Sequence, residues 1–137
     1  MKDGMSSLVI LDTNALIFDA LTPARLTKRA REVINAGAET GALACCDISL
    51  WEIAMLIHKG RLDPGAEPVQ FISDVVQARS LRVLPITPEI AVSAQSSALA
   101  HGDPADRIIS ATAAHHQAVL VSADKDLRRL KTVTIIW

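Results

Sequence analysis

Tyrosine is absent from this chain, and its aromatic side chains are two phenylalanines and two tryptophans. That scarcity argues against a nucleic-acid surface built by stacking many bases on aromatic rings. The formal net charge is -1. No basic excess marks a nucleic-acid binder, although a local basic patch serves as well as a global one. Cysteine is scarce too. Cys45 and Cys46 are adjacent, and neighbouring strand residues point to opposite faces, which argues against a disulfide between them. Two cysteines without histidines at ligand spacing do not make a zinc site. They read as core thiols in a reducing compartment. No apolar run approaches the roughly 18 residues of a membrane span. Residues 1–7 lack the apolar centre of a signal peptide. The expected location is the cytoplasm, with no membrane partner, a flexible N-terminus over 1–7 and Met5 as an alternative start.

What is present is an ordinary globular balance: 137 residues, 50% hydrophobic and 21% charged. This is enough for one domain, 1–137, with a hydrophobic core. The chain centres on Leu8-Val9-Ile10-Leu11-Asp12-Thr13-Asn14, an unbroken apolar run followed by an acid, a hydroxyl and an amide. A short run of this kind reads as a strand buried on both faces, with Asp12 at its C-terminal end. Val119-Leu120-Val121-Ser122-Ala123-Asp124 repeats the pattern. Further strands are expected at 42–46, 81–86 and 133–136. Helices are expected over 25–39, from Ser49 to near Gly60, over 69–78, from Thr87 to His101, and from Asp103 onward. Ser49 and Glu52 suit a capping box. Thr87-Pro88 and Asp103-Pro104 each suit an N-cap followed by proline at the first helical position. Asp126 to Leu130 reads as a short helical turn. The alternation of strands and helices predicts an α/β fold, a three-layer α/β/α sandwich on a mostly parallel sheet.

Four acids stand out. Asp12 and Asp124 end strands, and Glu52 and Asp106 each lie one turn into a helix. In open parallel sheets the ligand site lies beyond the C-terminal strand ends, so the four can converge there. Each also has a local explanation: Asp12 and Asn14 as caps, Glu52 in the capping box, Asp106 at a helix start, Asp103 as an N-cap, Asp124 capping the turn at Lys125-Asp126. Clustered carboxylates repel one another and are relieved by a cation. Oxygen donors without His or Cys select Mg²⁺ or Mn²⁺. The corresponding chemistry is hydrolysis of a phosphodiester by a metal-activated water. Asn14 and Ser122 are neutral groups suited to orienting a carboxylate or a water. Arg107 can pair with an acid, reach a substrate phosphate or make a plain surface ion pair. Lys59, Arg61, Lys125, Arg128, Arg129 and Lys131 are either a phosphate-binding rim or solvated surface. His58, His101, His115 and His116 have no metal spacing. Trp51 reads as core or interface, and Trp137 as packing on the sheet edge.

At these residues the chain resembles the PIN-domain nucleases and, within them, the VapC-type toxins of bacterial toxin–antitoxin pairs. The resemblance runs through Leu11-Asp12-Thr13-Asn14-Ala15-Leu16, then Ser49-Leu50-Trp51-Glu52-Ile53-Ala54 with Lys59-Gly60-Arg61-Leu62, then Leu84-Pro85-Ile86-Thr87. It continues through His101 to Ala113 and Val121-Ser122-Ala123-Asp124-Lys125-Asp126-Leu127, and covers essentially everything from Leu8. It implies metal-ligating acids at Asp12, Glu52, Asp106 and Asp124, with Asp103 as a helper and Asn14 and Ser122 near the metal. It also implies Mg²⁺- or Mn²⁺-dependent cleavage of RNA, a homodimer, and a small cognate antitoxin that covers the site. Gly102 and Ala105 depart from that branch, which commonly has a larger basic and an aromatic residue there. Two alternatives stand beside the toxin: a PIN-type nuclease that processes RNA or DNA without a toxin role, and a non-catalytic α/β binding module whose acids only cap helices. A phosphatase-like or receiver-like acidic domain is disfavoured, since no second acid adjoins Asp12.

Overall fold

The structure, a computed structural model, describes residues 8–96, 103–130 and 132–137. The expectations placed on residues 1–7, on His101 and Gly102, and on Lys131 lie outside the described residues.

Five short strands form the sheet: β1 (Val9–Leu11), β2 (Leu43–Cys46), β3 (Arg82–Leu84), β4 (Val119–Val121) and β5 (Thr134–Ile136). Their order is β3-β2-β1-β4-β5, and every pairing is parallel. The helices are α1 (Thr13–Leu21), α2 (Lys28–Glu39), α3 (Asp47–His58), α4 (Pro68–Ala78), α5 (Pro88–Ser93) and α6 (Pro104–His115). Single 3-10 turns stand at Pro23–Arg25 and Leu127–Arg129.

Strand residues alternate between two cores, as the two-residue period of a strand requires. Val9, Leu11, Leu43, Cys45 and Val121 pack with Ile34, Ile53, Phe71 and Val75 from α2, α3 and α4. Ile10, Ala44, Cys46 and Leu120 pack with Ile109 and Ala113 of α6. These two cores on opposite faces make the expected three-layer sandwich. Cys45 and Cys46 fall in different layers and are free thiols. Gly37 has a packing role in α2. A β-carbon there would come within 3.3 Å of Leu43 Cδ1 and 3.4 Å of Val9, so its absence lets α2 lie close on β1 and β2.

The expected cap at Thr87 is present, its hydroxyl accepting from the Ile90 amide at 3.2 Å. Three local expectations need correction. The helix expected from Arg25 begins at Lys28, because Arg25 belongs to a 3-10 turn and Thr27 supplies the cap. The helix from Thr87 ends at Ser93, and turn residues follow to Ser96. The capping box at Ser49 does not form. Helix α3 starts three residues earlier, at Asp47, with Cys46 as an N-cap that makes no side-chain bond.

Strand β1 is central, and the chain leaves it toward β2 and β3 on one side and β4 and β5 on the other. The crevice between the C-terminal ends of β1 and β4 is therefore the topological switch point, where ligands of open α/β sheets bind. Asp12 and Ser122 follow those two strands directly.

Candidate metal centre at the switch point

Asp12 is 6% exposed. It is the N-cap of α1 and accepts the Ala15 amide at 2.8 Å. Its own amide donates to Val121 O at 3.1 Å, which ties it to β4. The Ser122 hydroxyl also bonds the Asp12 carboxylate. Ser122 in turn accepts the Asp124 amide at 3.0 Å. The capping role expected of Asp12 is thus real, and it coexists with placement at the crevice. Burial pushes the Asp12 carboxyl above its ordinary range, and the charge of Asp124 adds to the shift.

Loss of the capping box changes the role of Glu52. Ser49 is fully buried one turn inside α3, its hydroxyl 3.0 Å from that of Thr13. Thr13 also hydrogen-bonds the Glu52 carboxylate through a short contact. The single Thr13 proton goes to the charged acceptor, which leaves Ser49 to donate to Thr13. Glu52 is therefore held toward α1 across the helix interface instead of folding back on its own helix start. Burial, then the charges of Asp103 and Asp12, raise its carboxyl above the usual range.

Helix α6 opens as its sequence predicts. Asp103 is the N-cap, accepting the Asp106 amide at 2.8 Å, with Pro104 first and Asp106 third. Asp106 is pushed up to about 7, first by burial and then by the charges of Asp103, Glu52, Asp124 and Asp12. Acids from four separate stretches of the chain thus act on one another. Asp12, Asn14, Asp106 and Asp124 line one cavity of 380 Å³ together with Phe18, Arg25, Ala123 and Trp137. Glu52 and Asp103 line a neighbouring apolar cavity of 470 Å³ with Ile48, Trp51, Met55, Pro104, Ala105 and Ile108.

The donor set fits a hard divalent cation: carboxylate oxygens, flanking hydroxyl and amide oxygens, and no sulfur or imidazole. The electrostatics fit too, because the partly buried carboxylates raise one another's pKa and, among the described residues, none of them is ion-paired. Among the described residues no three His, Cys, Asp or Glu side chains are gathered closely enough to grip one ion as they stand. Three of the acids are engaged at their own loops, Asp12 with Ala15, Asp103 with the Asp106 amide and Asp124 with the Asp126 amide at 2.8 Å, while Glu52 is held on Thr13 across the helix interface.

Arg107 turns away from the acids. Its Nε donates to Ala94 O at 3.1 Å and its Nη2 reaches Gln95 Oε1 at 3.5 Å, tying α6 to the end of α5. Lys59, Arg61, Lys125, Arg128 and Arg129 are exposed. Trp51 is 61% exposed beside the apolar cavity, so it is not core in this chain. Trp137 does pack at the sheet edge, but its ring also walls the acidic cavity, as do Phe18 and Arg25. Sequence reasoning gave none of these three a place in the site.

Residues 9–133 match the PIN domain family. The chain is 33% identical over 121 residues to Ribonuclease VapC22 of Mycobacterium tuberculosis, covering 88% of this chain and 89% of that protein. Its fold is similar to VapBC2 from Rickettsia felis bound to a promoter DNA fragment, with TM-score 0.72 at 14% identity, covering 94% of this chain and 97% of that one. It is also similar to DNA-bound VapBC from Salmonella typhimurium, with TM-score 0.69 at 21% identity, covering 94% and 96%.

Proposed function

This chain belongs to the PIN-domain family, in its VapC branch, and we propose that it is a Mg²⁺- or Mn²⁺-dependent endoribonuclease acting as the toxin of a toxin–antitoxin pair. The observation that carries the reading is the mutual placement of the acids. Asp106 is raised to about 7 by burial and by four other carboxylates, among them all three of its proposed co-ligands, Asp12, Glu52 and Asp124. Capping alone accounts for the local bonds of Asp12, Asp103 and Asp124. It gives no reason for Glu52 to be anchored on Thr13 across a helix interface.

In this reading Asp12, Glu52, Asp106 and Asp124 hold the metal, with Asp103 beside Asp106. The ion, when bound, lowers the pKa of a water and offsets the charge that builds on the phosphate. Ser122 holds the Asp12 carboxylate and the Asp124 loop in one register. Asn14, exposed at the cavity wall, adds an oxygen without charge. Asp106 or Asp124, both at the wall of this cavity, is placed to take the proton of the attacking water or return one to the leaving oxygen. The exposed cations Lys59, Arg61, Lys125, Arg128 and Arg129 suit the RNA backbone around this mouth.

The apolar cavity supports the partner reading. An antitoxin segment seated against Trp51, Ile48 and Met55 covers Glu52 and Asp103 in the same step. The homodimer belongs to the same proposal, as does a cytoplasmic location. No helix among the described residues is long and apolar enough to cross a membrane. The test is cleavage of defined single-stranded RNA and DNA with Mg²⁺ or Mn²⁺ against the same reaction in chelator. Metal-dependent cutting of RNA supports the reading. Cutting of DNA alone moves the chain to a non-toxin nuclease role, and a folded protein inert on both leaves the binding module. Rescue of cell growth by a small protein encoded beside the gene tests the toxin role.

A further inference from the structure

The chain has four aromatic side chains, and two of them, Phe18 and Trp137, wall the same 380 Å³ cavity as Asp12, Asp106 and Asp124. They come from distant positions, Phe18 from α1 and Trp137 from the residue after β5. Their ring centroids are 6.2 Å apart and tilted by 55°. The guanidinium of Arg25, on the 3-10 turn after α1, lies over the Phe18 ring with Cζ 4.3 Å from its centroid. Arg25 lines the cavity as well. Among the described residues the one ion pair is Arg79 with Asp19, so Arg25 faces a strongly acidic cavity without a carboxylate bound to it. The cation–π contact with Phe18 limits the rotamers of Arg25.

We propose that Phe18, Arg25 and Trp137 are the substrate wall of this cavity. Arg25, seated on Phe18, holds the phosphate next to the one being cleaved, and Trp137 takes the unpaired base of that nucleotide. The inference rests on the ribonuclease reading and deepens it. A planar guanidinium donates to phosphate oxygens in a fork and stays charged at any working pH. An indole stacks any base, but only one that has left its helix, since A-form RNA keeps its bases paired and stacked. The wall therefore selects single-stranded RNA at the cut. It also explains how so acidic a centre takes up an anionic chain: the positive charge stands to one side of the acids, where the neighbouring phosphate has to lie. Arg25 and Trp137 touch the substrate directly, and Phe18 is a positioning residue that acts through Arg25.

The experiment is fluorescence anisotropy of a short fluorescein-labelled single-stranded RNA of mixed sequence. Ca²⁺ replaces Mg²⁺, so that binding is read apart from hydrolysis. Arg25→Ala is expected to weaken binding about tenfold and to flatten the dependence of log affinity on log salt by about 0.7, the value of one phosphate contact on a single strand. Arg25→Lys restores the salt slope but not the full affinity. Trp137→Ala weakens binding about tenfold with the salt slope unchanged, and Trp137→Phe recovers most of it. The same RNA in duplex form is bound less tightly by the unaltered protein and is insensitive to Trp137→Ala. Should Trp137→Ala fail to fold, the Arg25 variants decide, because that side chain is exposed. The proposal is overturned if folded Arg25→Ala and Trp137→Ala proteins both bind with unaltered affinity and salt slope. It is equally overturned if Arg25→Ala changes Mn²⁺ affinity alone, which makes Arg25 a counter-charge. A protein that binds through this wall yet cuts nothing with Mg²⁺ or Mn²⁺ sinks the ribonuclease reading and keeps the wall. One that cuts RNA and ignores these variants does the reverse.

Discussion

The hydroxyl of Thr13, at the first position of α1, is hydrogen-bonded to the carboxylate of Glu52, in the second turn of α3. With Ser49 beneath it at 3.0 Å, this contact joins the two helices at the place where the proposed metal site needs an acid from α3. Thr13→Val keeps the shape and removes the donor. The expected result is a loss of about 1–2 kcal/mol in stability, since buried Ser49 loses its partner as well. Mn²⁺ affinity falls about tenfold, and RNA cleavage falls with it. Urea melts and a metal titration check this. A variant with lowered stability and unaltered metal affinity makes the contact purely structural.

Protonation of Asp106 gives the pH behaviour. Its carboxyl rises from an ordinary 3.8 to about 7 in the folded chain. A group with a raised folded pKa holds its proton more tightly when folded. Its stabilising contribution is full below about pH 4 and is lost as the pH rises through about 7. Metal-free protein is therefore expected to melt at a lower temperature at pH 8 than at pH 5. Asp106→Asn flattens that dependence. Because the metal must displace the proton, Mn²⁺ binding strengthens by up to about tenfold per pH unit below neutrality and levels off above it. Binding that is flat from pH 5 to 8 contradicts the assignment of Asp106.

Arg79 and Asp19 supply a control outside the two cavities that the acids line. Arg79 Nε and Nη2 bond the two Asp19 oxygens at 3.0 and 2.9 Å, clasping the region after α4 to α1. The pair is partly exposed, so Arg79→Ala is expected to cost about 1 kcal/mol. Specific activity of the folded fraction stays unchanged. A variant that melts normally and loses activity shows that the clasp serves the site.

The thiols are expected to be inert. Burial raises Cys45 to about 12 and Cys46 to about 11. Since the thiolate is the nucleophile, the native protein should resist alkylation at pH 8 and react fully in denaturant. Rapid labelling of the native chain contradicts the burial of β2.

The sheet and the starts of α5 and α6 were legible because local chemistry decides them. Buried parallel strands are short apolar runs, and Thr87-Pro88 and Asp103-Pro104 leave the backbone little choice. The start of α3 was not legible. Ser49 is a better capping residue than Cys46, but burial of its hydroxyl against Thr13, 36 positions away, outweighs the local preference. The same contact gives Glu52 its place, so the local capping role that competed with its place in the site is one the fold does not use. Arg107 sits beside Asp106 in sequence, yet the helix sends its side chain to Ala94. The wall of Phe18, Arg25 and Trp137 had no sequence signature. Its members are far apart in the chain, and counting aromatics says how many there are but not that two share one cavity.

The most direct test is a Mn²⁺ titration of the folded protein and of Asp12→Asn, read by calorimetry. Asparagine keeps the cap on α1, so both proteins should melt cooperatively. The account predicts saturable binding by the unaltered chain, displaced by Mg²⁺, and its loss in Asp12→Asn. A folded, unaltered protein that takes up no Mn²⁺, or an Asp12→Asn protein that binds it equally well, contradicts the claim that these carboxylates form a metal centre.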